Sequence, residues 1–158
     1  MAEVILYAED DENDAFLIQR AFEKAGITHV VHVVPSGRAA IDYLEGKGPY
    51  GDRDKYPLPS LALLDLNMPG ISGLEVLKYI RTTPRLCTLI AVMLSSSNQD
   101  TDIHRSYLQG ANGYLLKPGS IDEMVTMVKA VKDYWLVQNR GSSSAQAQNP
   151  KAETTPAQ

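Results

Sequence analysis

Apolar and polar positions along this chain recur with two different periods, and the changes between them mark out alternating strands and helices. Val4-Ile5-Leu6-Tyr7-Ala8, Leu61-Ala62-Leu63-Leu64 and Leu89-Ile90-Ala91-Val92-Met93-Leu94 are unbroken apolar runs. Runs of that length without polar alternation indicate strands buried on both faces. His29-Val30-Val31-His32-Val33-Val34 is β-branched and strand-like, and Gly113-Tyr114-Leu115-Leu116 reads as a short fifth strand.

Between these runs the apolar residues return every three or four positions. Ala15, Ile18, Phe22 and Ala25 predict a first helix, with Gly26 placed as a C-terminal cap. Pro35 and Ser36 open a second helix through Ile41 and Leu44 to Gly46. Gly73 to Arg81 carries Leu74, Leu77 and Ile80 on one face, and a more polar helix spans about Gln99 to Gln109. The last helix starts at Ser120, with Glu123 completing a capping box, and runs to about Gln138. Between Gly46 and Ser60, three glycines and three prolines predict a long loop, the kind that is often functional.

Alternating βα units fold as a parallel sheet covered on both faces, joined by right-handed crossovers. Ligands in such sheets bind beyond the carboxyl ends of the strands. The informative residues fall there: Glu9, Asp10 and Asp11 after strand one, Asp65 after three, Ser95 after four and Lys117 after five. From Gly141 onward the residues are mostly small or polar, and such a composition does not bury enough surface to order itself. One domain over residues 1–140 and a disordered polar tail over 141–158 are therefore expected.

Composition narrows the function. A net charge of −4 argues against a nucleic-acid surface. Cys87 is the lone cysteine, so no internal disulfide framework or cysteine metal knuckle can form, and it is expected to be a buried or semi-buried hydrophobe. Met1-Ala2-Glu3-Val4 has no signal-peptide character, and no apolar run approaches the length of a membrane span. A cytoplasmic protein, with neither membrane nor nucleic acid as partner, is the expectation.

The strand-end acids set the chemistry. Two carboxylates about 4 Å apart repel by roughly 4 kcal/mol at an effective dielectric near 20. Glu9, Asp10 and Asp65 thus form an unfavourable cluster unless a cation joins them. Mg²⁺ fits, because it takes one or two carboxylates, keeps several waters and leaves room for a phosphoryl oxygen. Lys117 offers a compact positive charge and Ser95 a hydroxyl, and together these groups suit phosphoryl transfer onto Asp65. Glu12 and Asp14 read as solvated loop acids. His29, His32 and His104 lie in a strand and on a polar helix and read as structural or exposed.

In order and spacing, Glu9-Asp10, Asp65 within Leu64-Asp65-Leu66-Asn67-Met68-Pro69-Gly70, Ser95, and Lys117-Pro118 resemble the receiver domain of two-component response regulators, over about residues 3 to 138. The resemblance implies a doubly wound, flavodoxin-like five-stranded sheet of order 2-1-3-4-5 with five helices. It implies that Asp65 accepts phosphoryl from a sensor histidine kinase. It also implies Mg²⁺ on Asp10, Asp65 and the Asn67 backbone carbonyl, with Glu9 acting through a water. Lys117 would pair with Asp65 and then with the phosphoryl group, through a cis bond to Pro118. Ser95 and Tyr114 would be the switch pair, making the chain a signalling protein and not an enzyme.

The long loop and the lack of an output module resemble stand-alone regulators paired with bacterial phytochrome-type kinases. Those are often homodimers through the face of helix 4, strand 5 and helix 5. Tyr134, Trp135, Leu136 and Val137 fill nearly a turn of the last helix, which suggests a partner surface there. The sequence also admits other readings. A Mg²⁺-dependent aspartyl-phosphate phosphatase wants a second acid where Asn67 stands, and a flavin carrier wants a phosphate loop where Glu9 to Asp14 would repel it. A phosphate sink for a shared kinase has the same sequence signature as a signaller.

Overall fold

A computed structural model describes residues 3–138. The five strands are β1 (Val4–Ala8), β2 (Val30–Val34), β3 (Leu61–Leu64), β4 (Ile90–Ser95) and β5 (Gly113–Leu116). Helices α1 (Glu12–Lys24), α2 (Gly37–Glu45), α3 (Gly73–Thr82), α4 (Asp100–Leu108) and α5 (Ile121–Val131) alternate with them. All neighbouring strands pair in parallel, in the order β2-β1-β3-β4-β5. This is the doubly wound, flavodoxin-like arrangement of five strands and five helices expected from the resemblance.

Because side chains alternate across a strand, each apolar run feeds two cores. Leu6, Ala8, Ala62, Leu64, Ala91 and Met93 pack with α2 and α3 on one face. Ile5, Tyr7, Leu61, Leu63, Val92 and Leu94 pack with α1 and α5 on the other. The central strands are buried on both faces, which is why their sequences lack polar alternation. Burying each such Leu or Ile stabilises the fold by roughly 1.5–3 kcal/mol relative to exposure.

The 46–60 loop is packed down onto the sheet. Gly46 ends α2 in the left-handed region at φ 71°, turning the chain towards a short 3₁₀ segment, Gly48–Tyr50. The Arg53 guanidinium then donates to the carbonyls of Tyr43, Leu44 and Tyr56 at 2.7–2.9 Å, satisfying the open end of α2. Tyr50, Tyr56, Tyr43 and His32 form an aromatic cluster over the β2 edge, with ring centroids 5.1–5.8 Å apart.

Some expectations need correcting. Cys87 is exposed, because it falls in the loop after α3 while Leu86 takes the buried position beside it. The Lys117–Pro118 bond is trans, with no cis peptide among the described residues. An X–Pro bond favours trans by about 0.5–1 kcal/mol unless its surroundings impose the other isomer. α5 stops at Val131 and continues to Gln138 as a π-helical segment. That segment turns Trp135 and Leu136 onto the core and leaves Tyr134 and Val137 outside. At the other end of α5, Ser120 accepts from the Glu123 amide and donates to its carboxylate, so the capping box closes on one side only. The full box belongs to Ser72 and Glu75, at the start of α3.

Among the described residues no helix is long and apolar enough to cross a membrane. The polar tail expected from Gly141 onward lies outside the described residues.

Candidate functional site

The sheet's hydrogen bonding runs one residue past the strands, and this is what fixes the site. Glu9 donates its amide to Val34, Asp65 to Ala8 and Lys117 to Ser95, at 2.8–3.0 Å. Each of these residues is therefore the first position beyond a strand, held in register with its neighbours, and the strands before Glu9 and Asp65 are wholly buried. Gly73 closes the other side of Asp65: a Cβ there would run into the Asp65 carbonyl. The Asp65 loop folds back against α3 only because that position is glycine.

One carboxylate oxygen each from Glu9, Asp10 and Asp65 lies within 4.8 Å of the other two. Glu9 and Asp65 are buried and Asp10 is exposed, so the cluster opens to solvent on one side. Lys117 Nζ reaches Glu9 Oε1 at 2.7 Å, Asp14 Oδ2 at 2.8 Å and Asp65 Oδ1 at 3.3 Å. Tyr7, wholly buried beneath the site, donates its hydroxyl to Glu9 Oε1 at 2.7 Å. The Asp11 amide donates to the other Glu9 oxygen at 3.2 Å, and the Asp11 side chain caps α1.

These neighbours shift the proton affinities. Burial first, and then the negative charge of Glu9, push the Asp65 carboxyl up to about 7 against the pull of Lys117. Burial works against the Lys117 ammonium. Hydrogen bonds to Asp14 and Glu9 and the charge of Asp65 outweigh it, so Lys117 stays protonated well above the usual lysine range. Burial and the bond to Glu9 hold the Tyr7 phenol far above its ordinary range, leaving it a neutral donor.

One lysine does not neutralise the acids around it, so the donor set fits a hard divalent cation: oxygen ligands only, two buried and one open to solvent. Bound there, such an ion would offset the carboxylate repulsion and hold Asp65 ionised.

Ser95 is fully buried, and its hydroxyl accepts from the Ser97 amide at 3.0 Å. Tyr114 donates to the Ser97 carbonyl at 2.7 Å, and the Ser97 hydroxyl donates to Asp102 on α4 at 2.6 Å. The two expected switch residues thus meet through Ser97. Asn67 is exposed in the loop just after Asp65.

Of the residues singled out, Glu9, Asp10, Asp65 and Lys117 share one site, with Ser95 and Tyr114 in the adjoining network. Asp14 departs from the sequence expectation of a solvated loop acid, because it is an ion-pair partner of a buried lysine, whereas Glu12 is exposed as expected. Tyr7 and Ser97 were not singled out. A tyrosine in an otherwise aliphatic buried strand was a usable signal, because its hydroxyl needs a partner. His29 pairs with Glu3, His32 lies in the aromatic cluster and His104 is exposed, so none reaches the site.

The response regulator receiver domain family matches residues 5–129, and the chain belongs to that family. Two regulators of known name are similar over most of both chains. The probable methanogenesis regulatory protein FilR2 of Methanothrix harundinacea is 39% identical over 145 residues, 90% of this chain and 89% of that one. The response regulator Rcp1 of Synechocystis is 35% identical over 133 residues, 84% of this chain and 88% of that one. In structure, the chain is similar to the phosphorylated cyanobacterial phytochrome response regulator RcpA. Their TM-score is 0.81 at 34% identity, covering 90% of this chain and all (100%) of RcpA. It is also similar to the Mn²⁺-bound form of Rcp1, with a TM-score of 0.77 at 33% identity over 89% of this chain and 99% of that one.

Proposed function

We propose that this response regulator accepts a phosphoryl group on Asp65 from a histidine of a sensor kinase, in a Mg²⁺-dependent reaction. The observation that carries the reading is Lys117 Nζ lying among Glu9, Asp14 and Asp65, beside three carboxylates within 4.8 Å of one another. The Asp65 carboxylate attacks phosphorus, an O–P bond forms, the N–P bond of the donor breaks, and the imidazole leaves with the bonding pair. Lys117 offers an N–H to the transferred oxygens and stays protonated throughout.

Asp10, Asp65 and the Asn67 backbone carbonyl would hold Mg²⁺, with Glu9 contributing through a water. The ion supplies charge neutralisation for the carboxylates and the phosphoryl group. The Mn²⁺-bound form of the similar Rcp1 supports a divalent cation here.

The chain's own role is to accept, hold and release the group, with no turnover of an external substrate. Residues 1–140 act as the receiver unit and 141–158 as a polar appendage. Phosphorylation replaces the single negative charge of the Asp65 carboxylate with a phosphoryl group that carries about −2. Ser95 and Tyr114 carry that change to α4 and β5 through Ser97. Tyr107, Leu108, Leu116, Tyr134 and Val137 stand exposed on α4, β5 and the end of the last helix, and they support a homodimer through that face. Likeness to the phytochrome response regulator RcpA supports a phytochrome-type kinase as partner, and a cytoplasmic site of action fits such a partner.

The test is incubation with a small phosphodonor, with and without Mg²⁺, for the unaltered chain and for Asp65→Asn. Modification of the unaltered chain alone, and only with Mg²⁺, is expected. A modified Asp65→Asn chain, or equal modification without the cation, would refute the assignment.

A further inference from the structure

We propose that Asp14 is a positioning residue for Lys117, one that keeps the ammonium from settling onto the nucleophile. The inference rests on the phosphoacceptor role given to Asp65 above and deepens it.

A lysine ammonium has three N–H bonds and no acceptor. In this site Nζ lies within ion-pair distance of three acceptors, Glu9 Oε1, Asp14 Oδ2 and Asp65 Oδ1, and donates a hydrogen bond to Asp14. The contacts are unequal. Nζ lies 2.7 Å from Glu9 and 2.8 Å from Asp14, but 3.3 Å from the residue it is meant to assist. The ammonium is therefore placed by the β1 end and by α1, with Asp65 as its most distant partner.

Asp14 is well mounted for this task. It stands in the first turn of α1, and its own amide is held by the Asp11 cap at 3.0 Å. Its side chain is 34% exposed, against 10% for Lys117, so it reaches inward from the rim. An acid in a first helical turn also interacts favourably with the helix dipole. Glu12 and the Asp11 cap already serve that end of α1, and Asp14 makes its ion pair with a residue 103 positions away.

The consequence follows from counting partners. Without Asp14, the ammonium is shared between Glu9 and Asp65 alone and moves towards Asp65. That draws charge from the oxygen that must attack phosphorus, and it takes Nζ from the place where phosphoryl oxygens arrive. The loss falls on the transfer step itself, not on capture of the donor.

The experiment measures phosphorylation of the full chain by phosphoramidate at saturating Mg²⁺, following intact mass against donor concentration. Asp14→Ala is expected to slow the saturated rate about tenfold, as misplacement of a catalytic group does, with the half-saturating donor concentration unchanged. The same change made in a Lys117→Ala background is expected to shift the rate by less than about twofold, because the two residues act as one unit. Circular dichroism of each variant checks that the fold is retained.

An Asp14→Ala chain as fast as the unaltered one overturns the proposal. So does a deficit of the same size with and without Lys117. An unaltered chain that takes no phosphoryl group at all would overturn the phosphoacceptor reading instead, so the two failures are distinguishable.

Discussion

The Tyr114 hydroxyl donates to the Ser97 carbonyl at 2.7 Å, tying β5 to the loop that leads from Ser95 into α4. The Ser95 hydroxyl takes the Ser97 amide, so one residue is held from both sides by the expected switch pair. Tyr114→Phe removes a single hydrogen bond while keeping the ring packed on the core. A loss of about 0.5–1.5 kcal/mol is expected by denaturant unfolding. Sedimentation should also show a smaller difference in self-association between phosphorylated and unphosphorylated protein. An unchanged difference would remove Tyr114 from the output path.

Tyr7 gives a second test. Its hydroxyl and the Lys117 ammonium share Glu9 Oε1. Tyr7→Phe is nearly isosteric and removes a bond to a charged acceptor, so a loss of about 1.5–3 kcal/mol is expected from urea unfolding. The Mg²⁺ concentration needed for half-maximal phosphorylation should shift as well, since Glu9 loses a fixed donor. Unchanged stability would mean that the Tyr7 hydroxyl contributes nothing net.

The raised Asp65 carboxyl makes stability pH-dependent. An ordinary aspartate loses its proton near pH 4, whereas in the fold burial and Glu9 push this carboxyl up to about 7. Between those values the folded chain binds a proton that the unfolded chain has released, so this group's contribution to stability falls as pH rises through the window. Asp65→Asn lacks the effect. Without divalent cation, its stability relative to the unaltered chain should rise between about pH 4 and 7, then level off, by on the order of 1–3 kcal/mol. Parallel curves for the two proteins would contradict the shift.

Gly73 tests whether backbone position governs the site. A Cβ there collides with the Asp65 carbonyl, while at Gly119 an added Cβ meets nothing within 4 Å. Gly73→Ala is expected to cost about 1–3 kcal/mol, as forced overpacking does, and to slow phosphorylation by displacing Asp65. Gly119→Ala should leave stability within about 0.5 kcal/mol of the unaltered chain. Equal effects at the two glycines would show that the close approach is unimportant.

Much of this architecture can be read directly from the chain. Val4–Ala8 and Leu61–Leu64 match the apolar runs residue for residue, because a strand buried on both faces leaves no polar position to blur its ends; Gly113–Leu116 matches as well, although it is only half-buried. The site was legible for the same reason: Glu9, Asp65 and Lys117 are polar residues ending apolar strands. Asp14 was not, since an acid in a first helical turn has a sufficient local explanation and its partner is 103 residues away. The exposure of Cys87 and the π-helical turn after Val131 depend on how loops and helix ends pack, which short-range periodicity does not encode.

The central claim is that repelling acids gather at the sheet edge so that a cation, and then a covalent phosphoryl group, can settle among them. Reductive trapping with borohydride tests it most directly, because it converts an aspartyl-phosphate to homoserine that peptide mass mapping can locate. After reaction with phosphoramidate, homoserine should appear at position 65 when Mg²⁺ is present and be absent when it is chelated. Trapping at any other acid, or equal trapping without the cation, would contradict the account.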